Sequence, residues 1–459
     1  MENKRHHEWI WLQQESNHQS SLPPLCIQIP IRKAKNLFHN GKMTISFGKQ
    51  KLEVVVDMHH YHNPFYICSS DIYTTLQLPK GAPLKAMYCK KNHTITIGPI
   101  MGVLTDSKTL NGHSFSTIDN FCRELTEVGK KKGLFTFIYS YHTLKNKQYY
   151  GYYFANEHWH RIRSVKPHFL YNRIHSRNII HSATYKRFVQ YINKQIPQFN
   201  KRFFSKQELY DFIDAFPLVN YLPKGTRWNK DNFHQFLHTY NAFLAKPVYG
   251  SQGRGIFRIT KTRNNIIIET FTKDFKKFAN ENDAWNFLQN KLKTDYILQE
   301  ELSLLSINGK LIDFRVLTHL QPNHQWKVTS VTARVSDNHF MTNLSRGGTT
   351  ASAKKILLQL FEKDKALFIY QLMEELAIAV SCQLDRKREN TFIELGIDIA
   401  VLKDGKLKII EVNSKPSKNE HRNFKGVRPS AKAIVEIARA KGMEWMEETC
   451  PCKVLESSH

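Results

Sequence analysis

Three oxygen-bearing side chains near the C-terminal end of the chain have the types and spacing of a magnesium site. Asp398 lies in one strand-like run, and Glu411 and Asn413 lie in the next, after a turn at residues 403–406. Because strand side chains alternate between faces, Glu411 and Asn413 point the same way, and a hairpin would place Asp398 opposite them. Mg²⁺ is held by one or two carboxylates and leaves positions for substrate phosphates. The stretch predicts a metal site beside a phosphate-bearing ligand, with a solvated acidic hairpin as the alternative.

A lysine and a glycine-rich loop lie upstream of this hairpin. Lys246 stands at the end of the strand-like run 241–247, where a fixed ammonium group can contact phosphate oxygens. The loop that follows contains Gly250, Ser251, Gly253 and Gly255. Its backbone N–H groups could approach phosphates closely. It leads into another strand, so it is neither a P-loop nor a dinucleotide fingerprint, both of which open a helix. A flexible turn is the alternative.

A polar strand end follows in the stretch 294–302. It carries Gln299, Glu300 and Glu301 where the run leaves the core. In a nucleotide cleft, backbone and carboxylate groups of such a segment can hydrogen-bond an adenine edge. A solvated strand terminus explains the segment equally well when it is taken alone.

Two oppositely charged residues share one face of the next strand. Asp313 and Arg315 are two positions apart, and such a pair is unusual on a buried face unless it is paired or bound to a ligand. An aspartate can accept from ribose hydroxyls, and an arginine can stabilise a transferring phosphoryl group. Ion pairs with neighbouring strands are the structural alternative. Arg334 ends the following strand, and Asn343 and Arg346 lie in a glycine-bearing loop that could hold an anionic substrate.

The order of these motifs resembles the ATP-grasp superfamily over roughly residues 201–445. The segments NLSRGGT and GIDIAV…IIEVNSKP are similar to the RimK-type glutamate ligases. The whole chain, including ITIGPIMGVL and LYNRIHSR, resembles the YheC/YheD endospore coat-associated family. The resemblance implies an α+β ATP-grasp fold, in which two α+β lobes clasp ATP. A small N-terminal β-rich domain and an α/β pre-ATP-grasp segment precede it.

The resemblance also implies a role for each position. ATP would be bound by Lys206, Lys246, the glycine loop, the 299–301 hinge and Asp313, which matches the residue near the ribose. The phosphate side would be lined by Arg315, Arg334, Asn343 and Arg346. Mg²⁺ would be held by Asp398, Glu411 and Asn413, with Glu411 bridging two ions and Mn²⁺ as the alternative metal. Two departures are Met341, where RimK-type ligases carry a basic residue, and Ser205, where an aspartate is usual.

The chain divides by composition into five segments. They are a polar N-terminal segment (1–42), a β-rich domain (43–118), an α/β pre-ATP-grasp segment (119–200), the ATP-grasp domain (201–445) and a C-terminal tail (446–459). FCRELTEVGKKKG predicts a helix that ends at Gly133, and LFTFIYS predicts the strand that follows.

Composition limits the class of protein. A length of 459 residues with 41% hydrophobic and 12% aromatic content predicts a folded protein of several domains. We find no run of about 18 apolar residues and no apolar signal core, so we expect no membrane span and synthesis in the cytoplasm. Seven scattered cysteines without a paired CxxC motif argue against a disulfide framework or a zinc site.

The formal net charge of +27 favours anionic partners. Nucleic acid is disfavoured because no recognition helix, RNP motif or zinc finger is present. The resemblance implies an ATP- and Mg²⁺-dependent carboxylate–amine ligase that forms an acylphosphate and is associated with the endospore coat or forespore surface. Its carboxylate and amine substrates are not identified by the sequence; an anionic peptide or polymer and other spore-coat proteins are candidate partners. The alternatives are an ATP-binding structural coat protein without turnover and a nucleic-acid-binding protein.

Overall fold

Contacts divide the chain into two compact units. The computed structural model describes residues 7–16, 22–30, 41–59, 64–80, 83–106, 115–162, 166–213, 217–250, 255–270, 272, 274–293, 295–336, 348–388, 392–418 and 426–450. The first unit comprises Met1–Lys201, Gln321–Asn323 and Phe424–His459, and the second comprises Arg202–Leu320 and His324–Asn423. The five predicted segments stay a prediction.

The helices of the described residues are, in chain order, α1 (Ser70–Thr75), α2 (Asp119–Lys132), α3 (Tyr141–Leu144), α4 (Arg177–His181), α5 (Ala183–Asn193), α6 (Lys206–Phe212), α7 (Lys230–Thr239), α8 (Glu281–Lys291), α9 (Ala353–Leu360), α10 (Lys363–Arg388) and α11 (Pro429–Glu448). Short 3₁₀ turns occupy Ser116–Ile118 and Leu218–Tyr221.

The first unit contains a closed barrel. Its strands are β1 (His7–Gln14), β2 (Cys26–Pro30), β3 (Lys42–Phe47), β4 (Gln50–His59), β5 (Tyr66–Cys68), β6 (Leu84–Cys89) and β7 (Thr94–Ile97). They close in the order β1–β5–β2–β4–β3–β7–β6, with β6 pairing back to β1. Alternate apolar side chains such as Ile10 and Leu12 fill its interior. The predicted β-rich region is confirmed. The barrel also takes in β1 and β2, which were not predicted as strands from the sequence.

A second, mostly parallel sheet follows the barrel in the same unit. Its strands are β8 (Ile100–Thr105), β9 (Phe135–Ser140), β10 (Gly151–Ala155), β11 (His158–Ile162), β12 (Phe169–Asn172) and β13 (Gln198–Phe199), in the order β11–β10–β9–β8–β12–β13. Helix α2 connects β8 to β9 and ends at Gly133, whose φ of +74° is the left-handed conformation that glycine adopts readily. The predicted helix and strand are therefore both confirmed.

Helix α11 also belongs to the first unit, although it comes last in the chain. It packs against α2 and β8. A Cβ atom at Gly442 would lie 2.5 Å from Cβ of Pro99, so the helix approaches the sheet closely only because this position is glycine. Glu124 on α2 accepts from both the backbone N–H and the side chain of Arg428, at the start of α11.

The second unit contains two sheets. The central sheet has β14 (Gly225–Arg227), β15 (Ala242–Pro247), β16 (Phe257–Lys261), β17 (Ile266–Thr270), β18 (Phe275–Phe278) and β19 (Tyr296–Glu300), in the order β14–β19–β15–β16–β17–β18. Helices α7 and α8 cover one face through an aromatic core, in which the rings of Trp228 and Trp285 stack at 4.5 Å.

The C-terminal sheet completes the second unit. Its strands are β20 (Ser306–Ile307), β21 (Lys310–Leu320), β22 (Trp326–Ser336), β23 (Thr349–Ser352), β24 (Glu394–Val401) and β25 (Leu407–Asn413), in the order β23–β22–β21–β24–β25, with β20 paired to β21. The turn between β24 and β25 has Gly405 at a φ of +91°. These two strands form the predicted antiparallel hairpin.

One helix is long and apolar enough to cross a membrane by length and composition. Among the described residues, this is Lys363–Arg386, and 39% of its most apolar window is buried in the protein. The helix packs against β21 and β22 of the C-terminal sheet. Because a core helix meets the same two criteria, its composition does not establish a membrane span.

Candidate functional site

Four neighbouring strands of the C-terminal sheet bring the predicted metal ligands and arginines to one face. Asp313 on β21 is directly opposite Arg334 on β22, and Arg315 is opposite Asp398 on β24. Asp398 is in turn opposite Glu411 on β25. The two-residue alternation of strand side chains therefore aligns acids and bases across the ladder, as the sequence predicted for the β24–β25 hairpin.

The arginines of this face are paired with carboxylates. Arg315 donates from Nη2 to Oδ2 of Asp398 at 3.0 Å and from Nε to Oδ1. Arg334 donates from Nε to Oδ1 of Asp313 at 2.7 Å, and its Nη2 contacts Asp313 and also lies 3.0 Å from Oδ2 of Asp398. All four side chains are nearly buried. The cross-strand ion pairs that were the structural alternative for Asp313 and Arg315 are thus present.

Asp398 stays ionised in this setting. Burial by itself would raise the pKa of its carboxyl group. The adjacent guanidinium groups of Arg315 and Arg334 outweigh burial and lower the pKa below its usual value. The face therefore presents a permanent anion between two permanent cations.

Glu411 and Asn413 lie next to this carboxylate. Nδ2 of Asn413 donates to Oδ2 of Asp398 at 3.2 Å and to Oε1 of Glu411 at 3.0 Å. Nζ of Lys206 lies 3.5 Å from Oε2 of Glu411, whose side chain is 29% exposed. The three predicted metal ligands are thus joined by hydrogen bonds through Asn413, with Glu411 in a partly exposed position.

These three residues fit a divalent cation such as Mg²⁺. They offer two carboxylates and an amide, and a half-turn of the Asn413 amide would replace its Nδ2 with an oxygen donor. Each carboxylate already contacts a cation: the ammonium of Lys206 lies near Glu411, and the guanidinium of Arg315 contacts Asp398. Within the described residues, no group of three or more His, Cys, Asp or Glu side chains forms a metal site. A set with only two acids matches an ion that shares its coordination with phosphates.

Lys246 occupies a buried position at the end of β15. Its Nζ donates to Oε1 of Gln299 on β19, and Nε2 of Gln299 donates to the hydroxyl of Tyr210 on α6 at 2.7 Å. Burial, and then the nearby ammonium of Lys206, lower the pKa of Lys246 to about 8. An anion placed beside it would raise the pKa of Lys246 back toward its usual value, as expected of a phosphate-binding lysine.

Lys206 is held at the first turn of α6. Ser205 caps this helix: its Oγ accepts from N–H of Glu208, and Glu208 accepts from N–H of Ser205 in return. Nζ of Lys206 donates to the carbonyl oxygen of Gly250 at 3.1 Å. Ser205 therefore provides the helix cap that fixes the first turn of α6.

The glycine loop is described only at its two ends. Gly255 has a φ of +74°, and a Cβ atom there would lie 3.0 Å from the hydroxyl of Tyr296. At Gly250, a Cβ atom would lie 2.6 Å from Cγ of Pro247. Both positions therefore favour glycine. The predicted residues Ser251, Gly253, Asn343 and Arg346 lie outside the described residues.

The carboxylates at the predicted adenine hinge have protein partners. Oε1 of Glu300 accepts from the backbone N–H of Lys224 at 2.8 Å. Both oxygens of Glu301 accept from Arg258, at 2.8 and 2.9 Å. Glu300 thus joins β19 to the residue before β14, and Glu301, the residue after β19, is joined to β16. Gln299 contacts Lys246 directly. Their role toward a nucleotide stays a prediction.

Several polar residues around this site were not predicted from the sequence. Tyr210 lies one helical turn after Lys206, a spacing that places both on one side of α6. Glu394 lies four positions before Asp398 on β24, an even spacing that predicts the same face. Glu394 contacts His319 and Lys418 in the interior. The sequence signal that could have revealed these residues is the even spacing of Glu394 from Asp398 on one strand and of His319 from Arg315 on the other.

A family model described as YheC/D like ATP-grasp matches residues 195–440, more than half of the chain. The curated relatives include two proteins of Bacillus subtilis. Endospore coat-associated protein YheD is 25% identical over 401 residues, covering 84% of this chain and 86% of the relative. Endospore coat-associated protein YheC is 24% identical over 275 residues, covering 58% and 75%.

Solved structures with partial similarity include the D-alanine–D-alanine ligase from Coxiella burnetii. The two share 9% identity with a TM-score of 0.43, covering 78% of this chain and 99% of that one. The family match covers the strands and helices that carry the lysines, the arginines and the acidic hairpin. This chain belongs to the YheC/D-like ATP-grasp family.

Proposed function

We propose that this protein is an ATP- and Mg²⁺-dependent ligase that joins a carboxylate to an amine. The observation that carries the proposal is the convergence of Lys206, Glu411 and Asp398: the ammonium of Lys206 lies 3.5 Å from Glu411, and Asn413 links both acids. Cations for phosphate oxygens and oxygen donors for a metal thus meet at one point. A purely structural hairpin does not need this combination in a partly exposed position.

We assign phosphate binding, metal binding and stabilisation of the transferred phosphoryl group to different residues of the site. Lys206 and Lys246 would bind phosphate oxygens of ATP, and Gln299 would hold Lys246 in place. Asp398, Glu411 and Asn413 would hold Mg²⁺, which when bound neutralises charge on the phosphates. Arg315 and Arg334 lie on the same face and would stabilise the charge that develops on the transferred phosphoryl group.

The reaction would proceed in two transfers. A substrate carboxylate oxygen attacks the γ-phosphorus of ATP, the bond to the β-phosphate oxygen breaks, and ADP leaves. The amine nitrogen then attacks the acylphosphate carbon, phosphate leaves with the bonding electrons, and the amine gives up a proton to solvent. The glycine loop would exclude water, because an acylphosphate hydrolyses readily. Glycines at its two described ends are consistent with this role.

The substrates and the cellular setting are part of the proposal. A net charge of +27 favours an anionic carboxylate substrate, such as an acidic peptide or polymer. The relatives YheD and YheC are named endospore coat-associated proteins. By extension we propose that this chain acts at the spore coat or forespore surface and contacts other coat proteins.

A second candidate function is ATP binding without turnover, in a structural coat protein. The observation that favours it is the pairing of both arginines: Arg315 and Arg334 are already neutralised by Asp398 and Asp313. Catalysis would require ATP to displace at least one of these contacts. A protein that only binds nucleotide would not.

One experiment separates the two. The purified protein, ATP and Mg²⁺ are combined with acidic peptides and amino acids, and ADP release and product mass are followed together. The ligase proposal predicts ADP release that depends on both substrates and a product whose mass equals their sum minus water. Saturable ATP binding without ADP release across the panel would favour the structural protein. The matched control is Lys246→Ala, which we expect to fold and to bind no measurable ATP.

A further inference from the structure

A buried charged cluster lies on the same sheet face as the proposed metal site, four residues along strands β21 and β24 from Asp398 and Arg315. It consists of Glu394 on β24, His319 on β21 and Lys418, and each of these side chains is 2% exposed or less. Nζ of Lys418 donates to Oε1 of Glu394. His319 Nε2 lies 3.0 Å from the same oxygen, and its Nδ1 lies 2.8 Å from Oγ1 of Thr329.

The position of the cluster follows from strand register. Glu394 and His319 are directly opposite each other, as are Asp398 and Arg315 four residues along the same two strands. Four residues of a strand span roughly 13 Å and return to the same face. The face thus carries two polar clusters, with Gly396 and Leu317 between them.

The segment after Asn413 continues along this face, from the proposed metal site toward the cluster of Glu394, His319 and Lys418. A Cβ atom on Gly396 would lie 2.9 Å from Cβ of Pro416, so the missing side chain leaves the space that Pro416 occupies. Two residues later, Lys418 reaches Glu394. The C-terminal end of β25 is therefore followed by a short segment that contacts β24 through Pro416 and Lys418.

The N-terminal end of the segment, at Ser414 and Lys415, also contacts the rest of the unit. Oγ of Ser414 donates to the carbonyl oxygen of Arg202 at 2.8 Å, and Nζ of Lys415 lies 5.2 Å from the centroid of the Phe203 ring. Arg202 and Phe203 shortly precede the helix that carries Lys206. Asn413 is thus adjacent to a segment held at both ends.

The charges of the cluster suit a role in positioning. Burial lowers the pKa of His319 despite its contact with Glu394, so the imidazole is neutral near neutral pH. The ammonium of Lys418 then balances the carboxylate of Glu394. A buried ion pair stabilises a fold poorly compared with apolar packing, but it demands one geometry. We therefore expect this ion pair to restrict the position of the segment more than it stabilises the fold.

We propose that Lys418, Glu394 and His319 are positioning residues that fix the segment 414–418 and thereby hold Asn413 in the geometry that Mg²⁺–nucleotide binding requires. The inference rests on the proposed metal site and adds to it residues that would act through the segment 414–418. Groups that orient ligands from behind the site commonly change metal affinity roughly ten- to a hundredfold.

The test measures nucleotide binding by calorimetry, with Mg²⁺ and with EDTA, in wild type, Lys418→Met and the double variant Glu394→Gln/Lys418→Met. The double variant removes both charges, so it avoids leaving one buried charge alone. In both variants we expect the affinity gain due to Mg²⁺ to fall roughly tenfold, while the affinity in EDTA stays unchanged. Amide exchange at residues 413–418 should become faster in the same proteins.

The matched control is Lys261→Met, which removes a 3.1 Å pair between Lys261 on β16 and Glu281 at the start of α8, in the same unit. It should leave both affinities as in wild type. If wild type itself gains nothing from Mg²⁺, the proposed metal site fails first. If wild type responds to Mg²⁺ and the variants respond equally, the positioning role is overturned while the metal site stands. An equal loss of both affinities, or failure of both variants to fold, would also overturn it, because the cluster would then serve the fold as a whole.

Discussion

Arg315 and Asp398 are directly opposite each other on β21 and β24, and both carboxylate oxygens of Asp398 accept from the guanidinium group. Arg334 reaches the same carboxylate from the next strand at 3.0 Å. One buried anion therefore holds two of the cations that the proposed phosphoryl transfer would use. Asp398 therefore holds both arginines in place in the absence of nucleotide. On binding of ATP and Mg²⁺, the arginines would exchange some of their contacts with Asp398 for contacts with phosphate oxygens.

The first prediction concerns the stability of this network. Arg334→Met should lower the free energy of unfolding by about 3–5 kcal/mol, because Asp313 would keep a buried charge without its bidentate partner. Asp313→Leu combined with Arg334→Met should recover most of that loss. Urea denaturation measures both. Lys406→Met, which removes an exposed pair with Asp404, is the control and should unfold like wild type. A single variant as stable as wild type would show that the pair carries no structural role.

The second prediction concerns protons taken up with ATP. Near pH 9, Lys246 is largely deprotonated in the free protein, since its pKa is lowered to about 8. Phosphate oxygens favour the ammonium form, so the complex has the higher pKa and ATP binding should take up protons, approaching one per site. Below about pH 7 the lysine is already charged and this uptake should vanish.

Calorimetry in two buffers of different ionisation enthalpy measures the uptake. Lys246→Arg is the matched control, because arginine stays charged over this range and should bind without proton uptake. Identical uptake at pH 7 and 9 would mean that Lys246 does not meet the phosphates.

The third prediction concerns Tyr210, which contacts Gln299 and through it Lys246. Tyr210→Phe removes one hydrogen bond and leaves the ring, so ATP affinity should fall by about 1 kcal/mol, a change of several-fold. Burial raises the pKa of Tyr210 to about 12, so its hydroxyl stays protonated, and the effect should be the same at pH 6 and pH 7, where Lys246 is also charged. Tyr370→Phe on α10 is the control. Unchanged affinity in Tyr210→Phe would separate the tyrosine from the nucleotide site.

The fourth prediction concerns Glu411, a proposed metal ligand whose side chain is partly exposed. Glu411→Gln keeps the size of the side chain but removes a charge that a second metal ion would need, so we expect roughly a hundredfold lower kcat and a comparatively constant KM for ATP. Steady-state kinetics across a Mg²⁺ titration tests this once substrates are found. Wild-type turnover would remove Glu411 from the mechanism, and an unfolded variant would identify it as a structural carboxylate. Glu374→Gln on α10 should behave as wild type.

Local sequence patterns determined a large part of what could be predicted about this protein. The alternation in β24 and β25 and the turn at Gly405 specify a hairpin, so the sequence by itself places Asp398 opposite Glu411. The helix ending at Gly133 follows in the same way from a periodic run and a glycine stop. These features depend on neighbours within a few residues, which a single sequence contains.

Partners far apart in the chain were decided only by the tertiary structure. That Arg315 pairs with Asp398, rather than standing free for a phosphate, depends on β24 being laid beside β21 across 83 residues. The contact of Lys418 with Glu394 depends in addition on Gly396 leaving room for Pro416. Strand order and close packing select such partners from many side chains of equal charge. Spacing along the chain can show which face a residue lies on, but not which opposite charge will meet it there.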